Sequence, residues 1–106
     1  MTVNETIVKA ILEKHPIRGV RDGLERFTCP YRIGWSRKND YNFIHYQFGG
    51  HSDSGLEPDG SSNNWRCHRV SSYTEVEIID GPWHEPTLKP KTRGHCVVTV
   101  EAEVDY

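Results

Sequence analysis

The stretch LERFTCPYRIGWS at residues 24–36, followed by RKND at 37–40 and YNFIHYQF at 41–48, decides the fold. In the first run, apolar and aromatic side chains occupy every second position, which is typical of a half-buried β-strand. RKND is a polar turn, and the third run resumes strand character. We therefore predict a β-hairpin over about residues 24–48.

A register for this hairpin follows if the turn places Ser36 opposite Tyr41. Directly paired residues share a face of a sheet, so the apolar residues of both strands then coincide on one side. The outer face is aromatic and basic, and we expect it to be exposed. This register pairs Ile33 with Ile44, Tyr31 with Tyr46, Cys29 with Phe48, Arg32 with His45 and Gly34 with Phe43.

The N-terminal segment is predicted to form a helix over about residues 3–15. Thr2 and Glu5 have the spacing of a capping box. Val3, Val8 and other apolar residues recur at i, i+4, as one buried helix face requires. Pro16 ends the helix, because the residue before proline avoids the helical region. The apolar stripe consists of Val3, Ile7 and Ile11, with Val8 and Leu12 beside them.

The rest of the chain is predicted to contain a long turn-rich loop and two further strand regions, at about residues 49–64, 65–80 and 95–104. The first of these strand regions is interrupted at Ser71-Ser72. A chain of 106 residues is large enough for one hydrophobic core. We therefore expect one domain, residues 1–106, of the α+β class: an N-terminal helix packed on an antiparallel sheet of four or five strands.

Composition narrows the functional classes. The 13 basic and 15 acidic residues nearly balance, so the chain is not a polycation built for nucleic acid. No apolar run approaches the roughly 20 residues that a membrane span needs. The N-terminus lacks the basic start of a signal peptide. Three cysteines cannot all close into intramolecular disulfides. We therefore expect a cytoplasmic protein without a membrane partner.

Two sequence pairs, Cys67-His68 and His95-Cys96, suggest a metal site or a nucleophile with its base. Neighbouring residues in a strand point to opposite faces, so neither pair can act as adjacent groups. Buried free cysteine behaves as a small hydrophobe. We therefore predict that Cys29, like Cys67 and Cys96, is a core thiol, and we expect no cofactor.

The histidines carry an alternative. A bulge at Ser71-Ser72 would bring three imidazoles to one face, next to a carboxylate. Such a set can bind catalytic zinc with an open position, and the chain would then be a metal-dependent hydrolase. The candidate ligands are His45, His68, His95 and Glu75, with Glu77 as a second carboxylate.

Basic and aromatic residues are interleaved on the hairpin. This pattern suits a single-strand nucleic-acid binder as well as a protein interface. The first possibility rests on Arg26, Arg32, Arg37, Lys38, Tyr41 and Phe43, together with Lys89, Lys91 and Arg93. We favour a non-enzymatic protein-binding module, an inhibitor or adaptor, that acts through the outer hairpin face and two long loops, residues 49–64 and 80–94. Its predicted binding residues are Arg32, Arg37, Lys38, Tyr41, Phe43, His45 and Trp83.

Overall fold

The computed structural model describes residues 1–52, 55–58, 61–86 and 96–104. Over these residues the chain forms one α-helix and six strands: α1 (Val3–Glu13), β1 (Ile17–Arg21), β2 (Leu24–Trp35), β3 (Tyr41–Gly50), β4 (Trp65–Arg69), β5 (Tyr73–Ile78) and β6 (Thr99–Glu103). All strand pairs are antiparallel. The predicted α+β class, a helix on an antiparallel sheet, is confirmed.

The helix α1 begins at the predicted cap. The Thr2 hydroxyl accepts a hydrogen bond from the Glu5 amide, and the Glu5 carboxylate accepts one from the Thr2 amide at 2.8 Å. Lys14 adopts a left-handed conformation with φ 55° and ends the helix. Ile7 and Ile11 are buried against the core as predicted, but Leu12 is 67% exposed.

The strand order is β4-β3-β2-β1-β5, and β6 pairs with the C-terminal part of β2, Arg32–Trp35. The two end strands, β4 and β5, are joined by only three residues, Val70–Ser72. So short a connection requires the sheet to curl until its ends approach each other. The predicted interruption at Ser71-Ser72 is this connection, a 3-10 turn.

The sequence does not predict β1. Its five residues, IRGVR, place Ile17 and Val20 three positions apart, and these residues would point to opposite faces of a strand. Both are nevertheless buried, because β1 lies between β2 and β5 and is covered on both sides.

The hairpin register differs from the prediction by one residue. Trp35, not Ser36, lies opposite Tyr41, and Ile33 lies opposite Phe43. The turn is one residue shorter, 37–39, because Ser36 lies opposite Asp40 and its amide donates to the Asp40 carbonyl at 2.9 Å. An irregularity between Pro30 and Arg32 then shifts the pairing again, and it places Cys29 opposite Tyr46.

The register was wrong because both faces of β3 are buried. Every residue from Asn42 to Gln47 is inside the protein, so alternation of apolar residues does not identify one core side. We call the two sides the His45 face and the Trp65 face. The His45 face carries Phe43, His45, His68 and Tyr73, and the Trp65 face carries Tyr31, Tyr46, Phe48 and Trp65.

The segment after β5 covers the Trp65 face. The ring of Trp83 lies 4.9 Å from that of Tyr31, and the ring of His84 stacks on Phe48 at 4.0 Å. The Tyr31 hydroxyl donates to the His84 carbonyl at 2.5 Å. Because of this cover, the aromatic side chains of the Trp65 face belong to the core.

Two cysteines form a disulfide, Cys67–Cys96, with Cα atoms 6.4 Å apart. The prediction of three separate core thiols was wrong for this pair and holds for Cys29, a buried thiol outside the disulfide. Cys67 lies in β4, and Asn42 of the neighbouring strand donates to the Cys96 carbonyl at 3.0 Å. The sequence contains no signal for this proximity, because it depends on the path of the chain between β5 and β6.

The predicted last strand is shorter than expected. β6 begins at Thr99, and its pairing with β2 shifts between Ile33 and Gly34. The alternation of apolar residues in 96–104 predicts Val100 and Ala102 on one buried face, but Ala102 is buried, whereas Val100 is 43% exposed. Residue 95, where this strand was predicted to begin, lies outside the described residues.

Candidate functional site

The seven predicted binding residues do not form one surface. Arg32, Arg37, Lys38 and Tyr41 lie around the end of the β2–β3 hairpin. Phe43 and His45 are inside the protein, and Trp83 packs on Tyr31 on the Trp65 face.

The prediction that Phe43 and His45 are exposed was wrong. Both are 0% exposed, because the curled sheet brings Tyr73 of β5 over them. The ring of Phe43 lies 5.2 Å from that of Tyr73 and stacks on His45 at 4.1 Å. The face predicted as the outer one is therefore an interior face.

The end of the hairpin is held by contacts with β6. The Arg32 guanidinium donates to the Glu103 carboxylate at 2.8 Å, and the Tyr41 hydroxyl donates to the Glu101 carboxylate. The pKa of Tyr41 is raised to about 12, mainly by partial burial and secondly by the hydrogen bond to Glu101. Tyr41 therefore stays a neutral donor at physiological pH.

An aromatic pair, two basic residues and two valines lie together here. The rings of Trp35 and Tyr41 are 5.0 Å apart, and Arg37 and Lys38 are exposed in the adjoining turn. Val98 donates its amide to the Trp35 carbonyl at 2.8 Å, and Val100 pairs with Gly34. Each of these valines is 43% exposed. We define the hairpin-end surface as Trp35, Arg37, Lys38, Tyr41, Val98 and Val100.

β6 is also a sheet edge. Among the described residues it pairs with β2 alone, so its other side presents backbone groups that no described strand engages. Such edges are the usual place for a further strand to add. The close approach of β6 to β2 depends on Gly34, where a Cβ atom would lie 2.0 Å from the Thr99 carbonyl oxygen.

A second candidate lies inside, on the His45 face. The Nε2 atom of His45 is 2.9 Å from Nδ1 of His68, and the Tyr73 hydroxyl is 2.9 Å from the same Nδ1. We call His45, His68 and Tyr73 the histidine cluster. The ring of Tyr73 reaches it by lying over Gly19, where a Cβ atom would come within 2.7 Å of Cε2.

Burial dominates the electrostatics of the histidine cluster. Loss of solvent lowers the pKa of His45 well below its usual value, and the nearby imidazole of His68 and three guanidinium groups act in the same direction. Burial raises the pKa of the Tyr73 phenol. Both groups are therefore neutral near pH 7. The three guanidinium groups belong to Arg26, Arg66 and Arg21.

The structure joins two of the four predicted metal ligands and separates a third from them. The structure brings His45 and His68 together, as the predicted break at Ser71-Ser72 allows. Glu75, however, is exposed and lies 3.9 Å from Arg18 on the other side of β5. His95 lies outside the described residues. Over the described part of the chain, no three His, Cys, Asp or Glu side chains are grouped as metal ligands.

The nucleic-acid hypothesis loses one of its residues. Arg26 is 2% exposed and donates to the Gln47 amide oxygen at 3.4 Å, so it cannot contribute to a surface groove. Lys89, Lys91 and Arg93 lie outside the described residues. Binding of nucleic acid stays a prediction.

Sequence reasoning missed Tyr73 as a site residue. The alternation of this strand predicts Tyr73 on the polar face with Glu75 and Glu77, opposite Thr74, Val76 and Ile78. In the structure Tyr73 is 5% exposed, because β5 pairs with β1 through an irregularity between Val20 and Arg21. No local pattern reveals that irregularity.

No model of a known protein family matches the chain. Neither a curated protein nor a solved structure is significantly similar to it. The helix α1 is too short and too polar to cross a membrane, and no other described helix could do so. Function is therefore argued from the two candidate sites alone.

Proposed function

We propose that the chain is a small protein-binding module, of the inhibitor or adaptor type, that adds a strand of its partner to the edge of β6. The single observation that carries this proposal is the exposure of Val100 on the edge strand β6 and of Val98 just before this strand. A partner strand at this edge would form main-chain hydrogen bonds and cover both valines.

The acidic residues of β6 support the proposal. Charged side chains often protect a sheet edge from unwanted pairing. Here the carboxylates of Glu101 and Glu103 are bound to Tyr41 and Arg32 of the same chain. Both carboxylates are directed to β2 and β3.

Charge indicates the chemistry of the partner. Arg37 and Lys38 are exposed in the turn next to the N-terminal end of β6. A complementary partner segment is extended, apolar at alternate positions and acidic at the end that lies beside this turn. Aromatic and arginine side chains dominate many interfaces, and Trp35 and Tyr41 supply the rigid aromatic part.

A peptide selection tests this proposal. Peptides selected on the immobilised protein are expected to protect the amides of β6 from hydrogen exchange. A Val98→Asp, Val100→Asp variant should bind them about tenfold or more weakly, because burial of the two valines is lost. The matched control is Leu12→Asp, Leu24→Asp, which adds the same charge at two other exposed apolar positions. Equal loss in both variants, or peptides that leave β6 unprotected, would contradict strand addition.

The cysteines bear on the cellular compartment in which the protein would bind its partner. The predicted cytoplasmic location rested in part on an odd number of cysteines, and two of these three cysteines pair in the Cys67–Cys96 disulfide. Disulfides persist chiefly in oxidising compartments, so we propose that the module acts in one. Lysis of the native cells directly into denaturant that contains an alkylating reagent, followed by mass measurement, tests this point: one alkylated cysteine is expected, and three would return the protein to the cytoplasm.

A further inference from the structure

We propose that the histidine cluster is a second binding site, which takes a small oxyanion such as phosphate or a carboxylate through the imidazole of His45 and the hydroxyl of Tyr73. It lies on the His45 face, away from the edge of β6. Its test is therefore independent of the protein-binding proposal.

His45 carries a buried nitrogen atom that no described group satisfies. His45 is fully buried, and its Nδ1 has no hydrogen-bond partner among the described residues. Its other nitrogen, Nε2, is occupied by His68 at 2.9 Å. A buried polar atom without a partner is unfavourable, and native proteins rarely keep one without a function or a bound group. This atom indicates that a further molecule belongs in the cluster.

The positions of the protons in the histidine cluster indicate which kind of ligand it would bind. If His45 Nε2 and the Tyr73 hydroxyl both donated to His68 Nδ1, they would compete for its one lone pair. The competition disappears when His68 carries its proton on Nδ1 and donates it towards the two neighbours. Neutral His45 then has its proton on Nδ1, and Tyr73 keeps a free hydroxyl proton. Two donors remain, and they need a ligand that accepts hydrogen bonds.

Three arginine side chains act electrostatically on the histidine cluster. The guanidinium groups of Arg21, Arg26 and Arg66 lie close enough to act on both His45 and Tyr73. They come from three different strands, β1, β2 and β4. Guanidinium groups beside a site disfavour a metal cation and favour an anion. It agrees with an acceptor ligand, and an oxyanion is an acceptor with negative charge.

The cluster has a connection to the surface. His68 and Arg66 of β4 are only partly buried, whereas His45 is fully enclosed. Arg66 also reaches the loop after β3, with 2.8 Å between Nη2 and the Ser52 hydroxyl. We therefore expect the anion to enter on the β4 side, between this loop and His68.

The test is a titration followed by NMR of the imidazole nitrogens and of the Tyr73 ring. Inorganic phosphate and acetate are added separately to the wild-type protein, and this distinguishes a phosphate from a carboxylate ligand. We expect saturable shifts of His45 Nδ1 and Tyr73 with at least one of them, and a protonated Nδ1 in the free protein. The absence of saturable shifts with both anions would overturn the proposal.

Substitutions identify the residues that bind the anion. Tyr73→Phe keeps the ring and removes one donor, and we expect it to weaken binding of the anion about tenfold. His45→Phe removes the other donor, but it changes a fully buried residue. If that variant does not fold, Tyr73→Phe and the wild-type titration still decide the matter. The control Arg37→Ala, Lys38→Ala should bind normally. Loss of binding in this control, with none in Tyr73→Phe, would place the anion on the surface and overturn the assignment.

Discussion

His45 and His68 meet across strands β3 and β4, with 2.9 Å between Nε2 of the first and Nδ1 of the second. They are not directly opposite each other, since His68 pairs with Phe43 and His45 with Arg66. The diagonal contact joins a fully buried imidazole to a partly exposed one. It links the interior of the curled sheet to its β4 edge.

The burial of His45 predicts a pH dependence of stability. Its folded pKa is lowered well below the usual value of about 6.5. Below that pH the unfolded chain binds a proton that the folded chain does not, so the free energy of unfolding falls as pH falls. The slope contributed by His45 is at most about 1.4 kcal/mol per pH unit, and it vanishes above about pH 6.5. Urea unfolding at about pH 5.5 and about pH 7.5 measures it.

A matched pair of variants isolates this effect. His45→Phe should lose that part of the slope, whereas His15→Asn should keep it, since the His15 side chain is 46% exposed. If His45→Phe has the same acid sensitivity as the wild type, the buried imidazole is not its source.

The disulfide predicts a sensitivity to reductant. Cys67 and Cys96 are separated by 29 positions, and a cross-link over such a loop stabilises a protein by about 2–4 kcal/mol. Chemical denaturation with and without a reductant measures this difference. A Cys67→Ala, Cys96→Ala variant should be less stable and should no longer respond to reductant. Cys29→Ala, the control, should still respond; a wild type that ignores the reductant would show that the bond contributes nothing.

Gly34 predicts a selective effect on β6. An alanine Cβ there would meet the Thr99 carbonyl oxygen at 2.0 Å, and this backbone atom can move only if β6 moves. We expect Gly34→Ala to lower the free energy of unfolding by about 1–3 kcal/mol and to speed hydrogen exchange in β6. Gly49→Ala is the control, because its nearest neighbour is the Phe27 ring at 3.4 Å. Similar effects of both changes would mean that β6 does not pass over Gly34.

Local features were predicted from the sequence, because their causes are local. The capping box at Thr2 and Glu5, the end of α1 before Pro16 and the break at Ser71-Ser72 all depend on a few neighbouring residues. The α+β class followed from one helical segment and several segments of period two. These features needed no knowledge of which strands meet.

The sites could not be predicted, because they depend on how distant strands meet. The predicted exposure of Phe43 assumed a sheet with one solvent side, but the curled sheet covers both. The contact of His45 with His68 depends on the pairing of β3 with β4. The pairing of Cys67 with a cysteine 29 positions away has the same origin.

Site-specific photo-cross-linking in the native cells tests the protein-binding proposal most directly. A photoreactive phenylalanine analogue replaces Val100 in one variant and Leu24, an equally exposed residue, in another. We predict that position 100 cross-links to an extended segment of one partner protein, that Val98→Asp abolishes the product, and that position 24 does not form it. The same products from both positions, or none from position 100, would contradict binding at the edge of β6.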